Sequence, residues 1–202
     1  MKEKKPTLSE LALLPATQGT GSPLCPQCAM CGLWQKNSEP FAKSHVPVNW
    51  SGKLLILEGH PTTPQSRAMF YRLGKKVGYE RNDLAFTYTL RCRPATERKP
   101  TIVELRLCRG FLIRLLTKLN PGHILVAGSN ALRSATNGAQ HSIADARGRK
   151  FSIPGTDKLA YATYHPESVL KGATHYEALI QEDLNRNNLP KLEYPENVCP
   201  RL

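Results

Sequence analysis

The chain has no apolar run long enough to cross a bilayer. Its longest apolar stretches, around residues 124–128 and 54–57, fall far below the roughly 20 residues a spanning helix needs. The basic start, residues 1–5, leads into no apolar core of a secretory leader. No internal repeat is visible. Acids are scarce, with 16 Asp and Glu against 28 Lys and Arg, a formal charge of +12 and a pI near 9.6. Membrane, secreted and RNA-guided roles therefore find no support, and a soluble protein that stays inside the cell, in the cytoplasm, is expected.

What is present suits one compact domain: 202 residues, 40% of them apolar, are enough for a sizeable core. The basic excess favours a polyanionic partner through release of condensed counterions, and nucleic acid is the leading candidate. A basic surface kept for solubility would give the same sum. Six cysteines in an intracellular chain are not expected to pair as disulfides, and three form the tight series Cys25-x2-Cys28-x2-Cys31. That spacing points to metal or cluster ligation.

Along the chain, residues 1–24 mix Lys, Pro, Thr, Ser and Gly and read as a loosely docked arm. From residue 189 onward Pro190, Pro195 and Pro200 interrupt the chain, so this end reads as irregular tail. Between them, short apolar runs alternate with amphipathic stretches, the pattern of an α/β domain with a mostly parallel sheet covered by helices. Strands are predicted at residues 53–57, 84–90, 123–128 and 159–164, and helices at 66–77, 101–119, 130–135 and 173–187. The clearest helix follows Pro100: Thr101 can cap its free amides and Glu104, three residues on, completes a capping box. Leu105, Cys108, Leu112, Leu115 and Leu119 recur at helical spacing, so Cys108 points inward as core filler or as a ligand.

Several segments carry a family resemblance. Residues 89–100, TLRCRPATERKP, followed by Glu104 and Cys108, resemble a strand ending in K-C-R-P-P, then N-R-x-P, then E and C. Residues 121–131 are similar to a P-x-x-I-x-x-L-G-x-x-A strand and turn, and residues 142–149, SIADARGR, to an I-x-x-x-R-G segment. Residues 165–170, HPESVL, resemble an H-P-[AS]-x-L-L motif. In this order, over residues 53–171, they resemble the iron-sulfur, family-4 branch of the uracil-DNA glycosylase superfamily. The resemblance implies a three-layer α/β/α sandwich on a short, mostly parallel four-stranded sheet, with its cleft at the carboxyl ends of the strands. Residues 25–188 would form that domain.

The resemblance also implies a [4Fe-4S] cluster held by Cys28, Cys31, Cys92 and Cys108, with Cys25 as an alternative ligand. Four sulfurs could equally make a structural tetrahedral zinc site. In either case the metal would pin the amino-terminal region and take no part in bond breaking.

Cutting an N-glycosidic bond requires taking the base out of the stack, stabilising charge on the departing base and presenting water to the sugar. His165 follows a strand and, by the resemblance, donates a hydrogen bond to the leaving base. The family's G-E-x-P-G turn is represented by Glu58, Gly59, His60 and Pro61, where Glu58 or His60 could orient water, with Glu58 preferred. Gly59, Pro61 and Tyr88 are assigned to the base pocket. Two departures stand out: residues 62–66 offer no aromatic to stack on uracil, and Tyr88 occupies the place of the uracil-reading asparagine. A differently shaped pocket for a bulky or modified pyrimidine is expected.

Phosphate contacts are assigned to Arg91, Arg93, Arg98 and Lys99, to Arg147, Arg149 and Lys150, and to Ser129 and Asn130 at a helix start. The expected function is a monomeric DNA glycosylase-like hydrolase acting on single- or double-stranded DNA. The alternatives are a base-modifying enzyme on the same scaffold and a catalytically inactive DNA-binding module.

Overall fold

The computed structural model describes residue 31 and residues 42–61, 63–92, 100–140 and 142–188. The arm at 1–24 and the tail at 189–202 lie outside them. The elements run β1 (Leu54–Glu58), α1 (Pro64–Lys76), β2 (Leu84–Tyr88), α2 (Ile102–Leu119), β3 (His123–Ala127), α3 (Ser129–Ala135), α4 (Ile143–Ala146), β4 (Phe151–Ser152), β5 (Leu159–Thr163), α5 (Pro166–Leu170) and α6 (Tyr176–Asn188).

Every residue of β1 and β2 is buried. Such strands have both faces covered, which is why they read as continuous apolar runs. Alternate residues of β1 serve two cores. Leu55 and Leu57 pack with Leu112 and Leu116 of α2 and Leu132 of α3, while Leu54 and Ile56 pack with Phe70 and Leu73 of α1 and Ile180 and Leu184 of α6. Each such buried side chain contributes roughly 1.5–3 kcal/mol, and a one-residue slip would exchange the two sets. The result is three layers, α/β/α.

The sheet order is β2-β1-β3-β5-β4. β1 pairs in parallel with β2 and β3, β3 pairs in parallel with β5, and only β4 is antiparallel, along the edge of β5. All four expected strands and four expected helices are present. The expected strand count of four is corrected to five, because β4 is two residues long and too short for any apolar period to announce it. The short α4 and α5 were not expected either. The capping box of α2 has the predicted form: Glu104 N–H donates to Thr101 Oγ1 at 3.2 Å, and Thr101 N–H donates to Glu104 Oε2 at 2.8 Å. No helix among the described residues is long and apolar enough to cross a membrane.

Candidate active site

Register places Glu58 between Tyr88 and Ala127, and Ala127 beside Thr163, in one row along the carboxyl edge of the sheet. The chain leaves β1 for β2 on one side and returns to β3 on the other, so a crevice forms where connections diverge. A cavity of about 370 Å³ lies there. Gly59 and His60 wall it after β1, Ser129 and Asn130 after β3, and Tyr164 and His165 after β5.

Two glycines let these turns close on one another. A Cβ on Gly59 would sit 2.8 Å from Asn130 Cβ, and one on Gly128 would sit 3.0 Å from His165 Cβ. Gly128 also has φ +85°, a backbone region that L side chains adopt only with strain.

His165 caps the amino end of α5, with Nδ1 accepting from the Glu167 N–H at 3.2 Å. An acceptor at Nδ1 leaves the ring proton on Nε2. Nε2 lies 3.2 Å from Glu58 Oε1, so His165 donates to the carboxylate. Glu58 has no exposed surface, and a carboxylate removed from water is held by such charge-assisted bonds. His60 has the opposite arrangement: its Nδ1 is 3.1 Å from the Pro61 carbonyl oxygen, which can only accept. Nδ1 therefore carries the proton of the neutral ring, and Nε2 is the acceptor. Two imidazoles on one cavity thus present opposite chemistry.

The other expected pocket residues sit further back. Glu58, Pro61 and Tyr88 are not part of the described cavity wall, and Glu58 stands behind His165 instead of facing the space. Tyr88 is only 6% exposed. Burial, with the Glu58 carboxylate second, pushes its phenol up, against smaller opposing effects of Arg67 and Arg91. The phenol therefore keeps its proton.

Of the expected phosphate contacts, Ser129 and Asn130 alone line the cavity. Arg91 turns inward: its N–H reaches Cys108 Sγ at 3.4 Å and its Nη1 reaches Ser44 Oγ at 3.5 Å. Arg147 forms a bidentate pair with Asp183, at 2.8 and 2.9 Å, which fastens its loop to α6. Arg149 and Lys150 line a separate cavity of about 340 Å³. Arg93, Arg98 and Lys99 lie outside the described residues.

Cys31, Cys92 and Cys108 gather in one small apolar cluster with Leu90 and Leu105. Burial pushes the Cys108 thiol up to about 12, against the Arg91 N–H bond, with Cys92 and Cys31 adding to the rise. Thiols so placed ionise when a cation joins them. Among the described residues no three His, Cys, Asp or Glu side chains form a ready metal site. Cys28 and Cys25 lie outside the described residues.

The sequence reading missed Tyr164, Glu167, Ser168, Lys171 and Tyr176, which complete the cavity wall. Glu167, Ser168 and Lys171 lie within six residues of His165 on and just after the short α5, so a helix assigned there would have placed them. Tyr164 and Tyr176 stack at 3.9 Å between ring centroids and 14° between planes, a contact between the residue after β5 and the first residue of α6 that no local pattern announces.

A family profile described as the uracil DNA glycosylase superfamily matches residues 37–185. Among curated proteins, the type-4 uracil-DNA glycosylase of Saccharolobus solfataricus is 28% identical over 162 residues, covering 71% of this chain and 73% of that protein. The type-4 enzyme of Thermotoga maritima is 27% identical over 129 residues, covering 63% and 67%. That of Pyrobaculum aerophilum is 26% identical over 165 residues, covering 73% and 82%.

The glycine geometry is testable by urea unfolding. Gly128 and Gly172 both have positive φ, but a Cβ on Gly172 meets nothing within 4 Å. Backbone strain costs about 1–3 kcal/mol at either position, and Gly128→Ala is expected to lose more than Gly172→Ala because it also pushes His165. Equal losses would contradict the close approach of Gly128 to His165.

Proposed function

The chain belongs to the uracil-DNA glycosylase superfamily, and from that premise we propose that it extrudes a pyrimidine nucleotide from DNA and hydrolyses its N-glycosidic bond. The observation that carries this reading is the pair of imidazoles on one cavity, a donor at His165 Nε2 and an acceptor at His60 Nε2. The bond between sugar C1′ and base N1 breaks, and its electron pair leaves with the base. On entry of the base the His165 Nε2–H turns from Glu58 Oε1, which otherwise holds it, to the carbonyl oxygen on which that charge develops. Water adds its oxygen to C1′ and passes a proton toward His60 Nε2. The products are an abasic site, a base anion and a protonated His60, and the base becomes neutral when that proton reaches it through water. Glu58 is a positioning residue in this scheme, so the water role passes to His60.

The substrate is a bulky or modified pyrimidine in preference to uracil. Asparagine offers a donor and an acceptor matched to the edge of uracil, and the single phenol of Tyr88, at the position the resemblance gives that asparagine, cannot reproduce both bonds. Residues 62–66 supply no aromatic ring to wall the pocket, which suits a larger base.

Cys31, Cys92 and Cys108, with Cys28 or alternatively Cys25, would hold a [4Fe-4S] cluster. Convergence of three thiols beside the Arg91 N–H, a donor to sulfur, fits that group. When bound, the cluster supplies a structural crosslink and not the hydrolytic step. The cysteines thereby fasten residue 31 to β2 and α2.

The excision reading is tested with oligonucleotides carrying uracil and a panel of modified pyrimidines, scored for abasic sites and altered nucleosides. A modified pyrimidine is expected to be released, and His165→Ala to slow single-turnover release by about 10²–10³ with binding retained. Rapid release of uracil alone would overturn the substrate choice. Altered nucleosides without abasic sites would mean base modification, and binding with no product a noncatalytic module.

Protein purified without oxygen is expected to be brown, with iron and acid-labile sulfide in equal amounts, and Cys108→Ser to lose both. Colourless protein with bound zinc would replace the cluster by a tetrahedral zinc site.

A further inference from the structure

We infer that the groove between α2 and α3 holds the phosphodiester backbone of the strand whose nucleotide enters the main cavity. The groove has a volume of about 580 Å³ and is lined by Arg106 from α2 and by Ser129, Asn130, Arg133 and Asn137 from α3 and the turn after it. Ser129 and Asn130 line both this groove and the main cavity. A chain lying along the groove would therefore reach the cavity mouth without leaving the surface.

The charges favour a polyanion. No Asp or Glu lines the groove among the described residues. Three arginines outside the groove are neutralised in place: Arg72 by Glu177, Arg147 by Asp183 and Arg186 by Glu182. Arg106 and Arg133 carry no such ion pair among the described residues. Because they come from different helices, they flank the groove, as a linear anion requires. Ser129 and Arg133 are four residues apart on one side of α3, and Asn137 follows in the turn after it, where its φ is +55°. Hydroxyl, amide and guanidinium groups are the usual partners of phosphate oxygens and carry no sequence preference. The groove thus fixes register while the cavity selects the base.

The location of the extruded nucleotide rests on the excision reading, but the groove can be tested without it. Binding of the full chain to a single-stranded oligonucleotide of ordinary bases is measured by fluorescence anisotropy across a salt series. Arg106→Ala and Arg133→Ala are each expected to weaken binding and to reduce the slope of log affinity against log salt by about 0.7, the value for one phosphate on a single strand. The double variant should lose twice that, and Arg106→Lys should restore the slope. Lys118→Ala, in the last turn of α2, should leave it unchanged. If either alanine variant unfolds, Arg106→Gln and Arg133→Gln take its place. Unchanged slopes in the arginine variants would overturn the groove while leaving any observed excision intact. Reduced slopes in a protein that releases no base from any oligonucleotide would uphold the groove and remove the excision reading alone.

Discussion

A carboxylate with no water around it must be met by hydrogen-bond donors, and the burial of Glu58 at the last residue of β1 makes the His165 Nε2–H one of them. The two residues flank β3 in the sheet order, so their contact passes over the end of that strand. Gly128 stands there, and any side chain at that position would press on His165. Parallel register brings the strand ends level, the two glycines let the turns meet, and the amino end of α5 fixes the far nitrogen of the ring. This contact and the Glu167 N–H together fix the orientation of the imidazole at the cavity.

In the proposed reaction that orientation divides the labour. His165 offers a proton-bearing nitrogen and His60 a bare one, because each ring has its other nitrogen committed to the backbone, at the Glu167 N–H and the Pro61 carbonyl. A departing anionic base needs the first and an attacking water the second. The cluster of Cys31, Cys92 and Cys108 belongs to a different task. It lies with Leu90 and Leu105 beyond the end of β2.

Much of this was legible from residues alone. Continuous apolar runs marked the buried strands, Thr101 and Glu104 marked the start of α2, and the motif at residues 165–170 marked an imidazole that lines the cavity. Four kinds of feature were not legible. The two-residue β4 leaves no period to read. Arg147 looked like a phosphate contact because its partner, Asp183, is 36 residues away and meets it only in the folded chain. Glu58 was the preferred residue for orienting water, whereas it is fully buried with its Oε1 on His165 Nε2. Arg106 and Arg133 lie inside helices, where solvated arginines are ordinary. Only the concave surface between α2 and α3 sets them apart.

The pairing of Glu58 with the Nε2–H of His165 can be observed directly in protein labelled with ¹⁵N in its histidine rings, through the couplings of each ring nitrogen to the carbon-bound ring protons. His165 is expected to show a protonated Nε2 and an unprotonated Nδ1, with the Nε2 signal shifting in Glu58→Gln. A proton on Nδ1, or a ring signal indifferent to Glu58→Gln, would contradict the arrangement from which the proposed chemistry follows.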